Sequence, residues 1–586
     1  MQPISRYLPF SSSITSLQAL TYLLGVSLFS ISFLVFLNSS VSFVVTDLIG
    51  QKHGVGNVVG TLGFADELVA LVACPAWGLV SDRLGVRWVA TIGYTLIGLA
   101  LAIFVQARNV YPQLLLARIF FAVGASASAT MVTAILPVLT DEADDRNGFA
   151  TRRKPTHISR HSTAFSVESE LTITPERYTD SAPRDEDEDG DSKASKAPAL
   201  AGFVGLFTGC GALVALSLFL PLPTRFGAID KVTPGEAVTY SFYVVAVVAL
   251  LVSVFVFLGL RGLKGEEGKG WRMLLGRRPR FVQFDALDEE DVDLSRKRKE
   301  MVPYLRLLKE SFLLGFTDRK ICLGYVGGFV ARASSVAISL FIPVFVNTFF
   351  IDRGFCHGSP NDPSQELKEE CKSAYVLSSI LTGVSQLVAL LCAPAFGYLS
   401  RRTGRVNWPI VVATVFGMIG YIVFPHLPSP EIKNVDGRGG SPFIFLVVAL
   451  IGVSQIGAIV CSLGILGQGI NQVDAPKTDR REPLIAPGPR EDGNEDEDDS
   501  AEADPLMSTS TENEPVARMK LKGSISGVYS LFGGAAILLL TKLGGYLFDK
   551  LSTGAPFYMM AIFNAVLLGV SLCLDASQTY SRTKLS

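Results

Sequence analysis

Residues 66–89 read DELVALVACPAWGLVSDRLGVRWV, and residues 385–408 read SQLVALLCAPAFGYLSRRTGRVNW. The two align without a gap. Leu68, Val69, Ala70, Leu71, Pro75, Ala76, Gly78, Ser81, Arg83 and Gly85 recur as Leu387, Val388, Ala389, Leu390, Pro394, Ala395, Gly397, Ser400, Arg402 and Gly404. Each copy is an apolar span that ends in a basic, glycine-bearing turn. A chain that writes one such unit twice is built from two related halves, and both copies need equivalent surroundings.

What those surroundings are follows from how charge is distributed. The 586 residues are 49% hydrophobic with a formal net charge of −2, yet the charges gather in a few polar blocks between long apolar runs. A run of about 20 apolar residues crosses a bilayer core. Hydropathy predicts about twelve spans near 20–45, 57–80, 88–107, 113–139, 200–222, 239–260, 321–350, 374–399, 409–426, 442–466, 522–547 and 556–575. The expected fold is an all-α membrane protein of two six-helix pseudo-repeats. An N-terminal half, 1–260, carries an insertion at 141–199; a central loop follows at 261–320; the C-terminal half, 321–586, carries an acidic insertion at 467–521. The repeated segments become the second span of each half. A weaker echo, SISFLVFLN (30–38) with SLFIPVFVN (339–347), sets Asn38 opposite Asn347.

Lysine and arginine in short loops face the cytosol. Arg83 and Arg87 follow the second span, and Arg401, Arg402 and Arg405 follow the eighth. Both turns, both termini and all three long polar segments then fall on the cytosolic side. RDEDEDGD (184–191) and EDGNEDEDDSAEAD (491–504) hold too few apolar residues for a core, so these segments are expected to be mostly disordered. GWRMLLGRRPRFVQF (270–284) suits an anionic leaflet surface or the basic flank of a helix equally well.

Gly78, Asp82, Arg83, Gly85 and Arg87 form the pattern G-x-x-x-D-R-x-G-x-R directly after the second span. On this motif and the six-plus-six plan the chain resembles the major facilitator superfamily, with long cytosolic insertions like those of fungal members. The second copy keeps Gly397, Arg402, Gly404 and Arg405 but has Arg401 in place of the acid. Arg118 and Gly124 partly match a fourth-helix pattern, with Phe121 and Ala122 departing from it; Gly205 and Gly209 partly match a fifth-helix pattern that Cys210 breaks. The resemblance implies a secondary transporter working by alternating access, with substrate in a cavity lined by spans 1, 4, 7 and 10. The reading from another class is a non-transporting receptor or sensor on the same scaffold.

The motif has a physical task. The free N–H groups at a helix start carry about half a positive charge. Asp82 is expected to meet the start of the eleventh span, KLKGSISG (520–527), and so to latch the halves together at the cytosolic face. Gly78 and Gly85 permit close approach and a tight turn, and Arg83 or Arg87 is expected to pair with Asp141 or Glu142.

Charge inside the spans is sparse and expensive, so each instance is a functional candidate. The carboxylates are Asp66 and Glu67; the cations are Arg118, Arg332 and Lys542. Glu67 lies in line with Gly56, Gly60, Gly63, Cys74 and Gly78, and Asp66 points about 100° away. The repeat replaces the two acids by Ser385 and Gln386, and charge in one half only suits an ion-coupling site. Asp66, Glu67 and Arg118 are the proton-coupling candidates, with Glu67 ahead as the proton carrier and Arg118 competing for the carboxylate. A fixed ion pair that aligns helices is the structural alternative. Lys542 sits near enough to the far end to snorkel. Arg332, Asn38, Asn347, Gln386 and Gln455 are cavity candidates, able to bond substrate or a neighbouring helix.

The five histidines, His53, His157, His161, His357 and His426, fall in loops or at helix ends, so any coupling proton must ride on a carboxylate. Six cysteines lie in or beside spans as small packing residues. Cys356 and Cys371 alone lie in the non-cytosolic loop, where a disulfide is expected. No cysteine–histidine metal pattern, nucleotide-binding loop or catalytic triad is present, so no enzyme activity, cofactor or metal is expected. The expected partners are a small-molecule substrate, protons if the carriage is coupled, and the bilayer; no nucleic acid is expected, and the chain is read as a monomer. Plasma membrane and vacuolar membrane fit equally.

Overall fold

The computed structural model describes residues 9–11, 13–51, 55–140, 196–229, 232–263, 266, 269–274, 303–353, 372–401, 407–433, 439–472 and 518–583. Among the described residues, twelve helices are long and apolar enough to cross a membrane. The first six are α1 Ser16–Leu48, α2 Val58–Leu84, α3 Val86–Phe104, α4 Val110–Leu139, α5 Lys196–Gly227 and α6 Pro234–Gly259. The second six are α7 Arg319–Asp352, α8 Val376–Arg401, α9 Trp408–His426, α10 Phe443–Ile470, α11 Lys522–Lys550 and α12 Ala555–Ser577. Even the shortest has 19 residues, enough for about 28 Å at 1.5 Å per residue. Each coincides with an expected span.

The internal repeat is visible in the packing. In the first half α1 packs on α5, α2 on α4, α3 on α4 and α3 on α6. In the second, α7 packs on α11, α8 on α10, α9 on α10 and α9 on α12, each partnership six helices further on. Pro75 in α2 and Pro394 in α8 sit at matching positions. The halves are joined chiefly by α2 with α11 and α5 with α8, and further by α5 with α10 and α4 with α11. Large apolar side chains such as Val72, Leu258 and Leu391 point outward, as a bilayer solvent requires.

One expectation is corrected. The central segment was expected to be a polar loop, but Tyr304–Thr317 is a helix. Its sequence, YLRLLKESFLLGF, carries two apolar faces. Leu307, Ser311 and Gly315 are buried; Tyr325 of α7 donates its hydroxyl to the Ser311 carbonyl at 3.1 Å, and Phe312 stacks on Phe532 of α11 at 6.0 Å. At its other end Tyr304 lies beneath the Arg83 guanidinium of α2, 3.5 Å from the ring centroid. This helix therefore straps α2 of one half to α7 and α11 of the other. Asp318 then caps α7, accepting from the Lys320 and Ile321 N–H groups at 2.9 and 3.0 Å.

Candidate functional site

The end of the bundle that carries Arg83, Arg87 and Arg401 is shut. The first turn of α11 has N–H groups without intrahelical acceptors, and Leu521 before it offers no side-chain cap. Asp82, in the last turn of α2, supplies one from the other half. Its Oδ1 accepts from Gly523 N at 2.7 Å; its Oδ2 accepts from Ser524 N at 2.8 Å and from the Ser524 hydroxyl. Asp82 is buried, which strengthens these charge-assisted bonds. One turn away, α2 and α11 touch through backbone: a Cβ on Gly78 would collide with the Gly523 carbonyl and lie 3.0 Å from Gly527 Cα. The α5–α8 contact closes the same end, with the Gly202 and Gly397 backbones against each other.

A second network shares this end. Gly85 turns the chain at φ 98°, a conformation that L side chains rarely adopt. The turn aims Val86 N at Glu266, which accepts through Oε2 at 2.8 Å. Glu266 Oε1 accepts from Lys269 Nζ at 3.1 Å and from Lys522 Nζ, the latter buried at the start of α11. Arg87 donates through Nε to the Phe257 carbonyl at 2.7 Å and lies 3.9 Å from that ring centroid. The expected pairing of Arg83 or Arg87 with Asp141 or Glu142 falls outside the described residues.

Burial by itself would push the Glu266 carboxyl up. The charges of Lys522 and Lys269, with the bonds from Lys522 and Val86, outweigh it and hold the group below the ordinary glutamate value of 4.5. A depressed folded-state value contributes stability above the ordinary value and loses it only as pH falls through the depressed one. The contribution is therefore constant from pH 5 to 8. Glu266→Gln is expected to weaken closure by about 2 kcal/mol, the scale of a bond to a charged group, equally across that range. Alkylation of a cysteine buried in the α2–α11 contact measures it; a wild-type Glu266 contribution that changes between pH 5 and 8 would contradict the assignment.

Deeper in the bundle, charge is divided into two unlike pairs. Arg118 of α4, itself buried, donates through Nε to Asp66 Oδ1 and Oδ2 at 2.9 and 2.7 Å. Its Nη2 reaches Asp66 Oδ2 and Asn38 Oδ1 of α1, while Nη1 is buried without a partner. This cluster lies wholly within the first half. Arg118 thus serves Asp66, not Glu67. The reason is rotational: the α2 stripe that packs on α11 carries Glu67 towards the seam between halves and turns Asp66 towards α4.

Glu67 makes no hydrogen bond or ion pair among the described residues, and neither does Arg332 of α7. Each lies within electrostatic reach of the other. Adjacent glycines of α11 allow this: Gly533 faces the Arg332 side chain, 2.8 Å from Cγ as measured from its ideal Cβ, and Gly534 faces Leu71, one turn beyond Glu67. On α7, one turn from Arg332, Ser335 Oγ accepts from Gln455 Nε2 at 3.0 Å; Gln455 Oε1 and Asn347 Oδ1 are buried without partners. In the repeat Ser385 is buried and Gln386 exposed, whereas Asp66 and Glu67 are both half-buried. Lys542 of α11 holds its ammonium 4.0 Å from the Phe64 ring centroid. The opposite end is splayed. Gly60 and Gly63 share the α2 face that meets α11, and Gly383 shares the α8 face that meets α5, yet all three front open space.

Cys356 and Cys371 lie outside the described residues. Among the described residues no three metal-ligating side chains come together. Sequence reasoning missed Glu266 and the roles of Lys522 and Ser524. Ser524 stood in the anticipated helix start; Glu266 carried no signal.

The sequence profile of the Major Facilitator Superfamily matches residues 28–151 and 192–473. A double-tryptophan variant of the proton:xylose symporter XylE superposes with a TM-score of 0.51 at 10% identity, over 95% of this chain and 94% of that one. The E. coli fucose:proton symporter FucP gives 0.47 at 13% identity, over 95% and 99% of the two chains. The human organic anion transporter MFSD10 gives 0.47 at 12% identity, over 95% and 98%. No curated protein sequence matches.

Proposed function

We propose a proton-coupled, alternating-access cycle for this chain, which belongs to the Major Facilitator Superfamily and is an integral, multi-pass membrane transporter. The surplus of arginine in the short turns orients the shut end towards the cytosol, with both termini on that side. The conformation is then outward-facing, and the Asp82 and Glu266 networks are the latches that break when the carrier opens inward. Asp66, Arg118 and Asn38 form a clamp that keeps α1, α2 and α4 moving as one body.

The observation that carries the coupling role is that Glu67 is unpaired at the seam of the two halves while Asp66 beside it is fully engaged. When the splayed end closes, water leaves the seam. A carboxylate there must then take a proton or meet a cation. Glu67 has both options, since Arg332 stands across from it. Proton uptake and conformational change become one event.

In reconstituted vesicles, Glu67→Gln is expected to reduce proton-driven accumulation to simple equilibration, an inside-to-outside ratio near one, while exchange at equal pH persists. Normal uphill transport in Glu67→Gln would overturn the assignment.

A further inference from the structure

We infer that the transported solute is a small organic monoanion, and that its carboxylate docks on Arg332. The inference rests on the reading of Glu67 as proton carrier.

Apart from Glu67, every other charged side chain described within the spans at this depth is engaged. Arg118 and Asp66 hold each other, and Lys542 lies over Phe64. Among the described cations within the spans, Arg332 alone has no hydrogen-bonded acid, carbonyl or ring; only the charge of Glu67 reaches it. A guanidinium keeps its charge at any physiological pH and offers five donors in a planar fork that matches a carboxylate. Left bare in a closed, dry cavity it would be strongly unfavourable. In the open state water serves it; once the cavity closes, an anion must.

Two anions are available, and they alternate. The charged groups facing Glu67 are Asp66 on its own helix, Arg118 from α4 and Arg332 from α7. α11 presents Gly533 and Gly534 there, with Tyr529, whose hydroxyl meets that of Ser462, one turn nearer the shut end and Lys542 further towards the open end; the Cys74 thiol lies two turns along α2. With the cavity empty, deprotonated Glu67 neutralises Arg332. With the cavity loaded, Glu67 has bound a proton and become a neutral acid, so Arg332 needs a negative charge from the solute. The two closed forms then carry equal net charge: one proton and one monoanion enter together, and the empty carrier returns with its internal pair. A neutral solute would leave Arg332 uncompensated beside protonated Glu67.

The surroundings supply a second, independent mark of a ligand. Gln455 is 5% exposed, its amide nitrogen is tied to Ser335 one turn from Arg332, and its Oε1 has no donor. A buried acceptor left open on a side chain tied one turn along α7 from Arg332 suits a solute that carries a hydroxyl or N–H as well as its carboxylate. Lys542, on the open side, raises the local concentration of anions before they reach Arg332.

The test uses the purified full-length protein and three carboxylate–amide pairs: lactate with lactamide, benzoate with benzamide, and nicotinate with nicotinamide. The expected result is thermal stabilisation by at least one carboxylate, stronger at pH 6 than at pH 8, with no response to its amide. Arg332→Gln should weaken that binding about thirtyfold or more, the scale of stripping one partner from a buried charge pair, and Arg332→Lys should recover part of it. A circular dichroism spectrum matching the wild type confirms that Arg332→Gln is folded. Stabilisation by an amide that survives Arg332→Gln overturns the proposal, and so does a lack of response to all three carboxylates. Binding that depends on Arg332 but is equal at pH 6 and pH 8, and unaltered in Glu67→Gln, would retain the anion site and overturn the proton-carrier reading instead.

Discussion

Arg118→Leu is expected to destabilise the protein by about 3–5 kcal/mol, because it strands the Asp66 carboxylate in the bundle without its cation. Thermal unfolding in detergent should show the loss, and transport should vanish with it. The double variant Asp66→Leu/Arg118→Leu removes both charges and should regain most of the stability, since apolar groups can replace a buried pair at little cost. Its α1, α2 and α4 would still pack, so the double variant separates folding from function: stable but inactive. A single variant as stable as the wild type would show that the cluster is solvated and holds nothing together. Glu67 is not expected to rescue Arg118→Leu, because its side chain leaves α2 on the α11 side.

Asp82→Ala should open the shut end. It removes the only acceptor for two buried N–H groups and one hydroxyl at the start of α11. Bonds to a charged group contribute about 1.5–3 kcal/mol each and are not additive, so a loss of about 4 kcal/mol is expected, close to a thousandfold shift in population. Asp82→Asn keeps an acceptor oxygen and loses only the charge–helix interaction, about 1 kcal/mol. Native Cys74 reports the change. It is buried on α2, and its carbonyl abuts Gly527 of α11. In a variant where Cys74 is the sole cysteine, alkylation from the Arg83 side should accelerate in the order wild type, Asp82→Asn, Asp82→Ala. Equal rates in all three would remove Asp82 from the gating mechanism.

Much of this architecture is legible in the chain because the bilayer imposes a coarse requirement. Every span must be about 20 apolar residues long, and the ungapped match of 66–89 with 385–408 marks α2 and α8 as equivalents. The Asp82 contact is legible for a related reason: a fixed motif ends one helix, and a glycine–serine run begins another. Three features were not. Which acid meets Arg118 turns on a rotation of about 100° between neighbouring residues, and that rotation is set by how α2 packs on α11. Glu266 sits in GEEGKG, where nothing separates it from Glu267 until Lys522 and Val86 are folded against it from 256 and 180 residues away. The strap helix Tyr304–Thr317 is too short for a span, and Arg306, Lys309 and Glu310 disguise it as solvent-exposed linker.

The two most extensive contacts between the halves, α2 with α11 and α5 with α8, each press backbone on backbone at the shut end, Gly78 on Gly523 and Gly527, and Gly202 on Gly397. A barrier of side chains has play in it: rotamers flicker and water files slip through. Main chain pressed on main chain has none. The closed end is therefore an insulator as much as a door. A membrane that holds this protein with that end shut is expected to keep its voltage and its ion gradients, however many copies it contains.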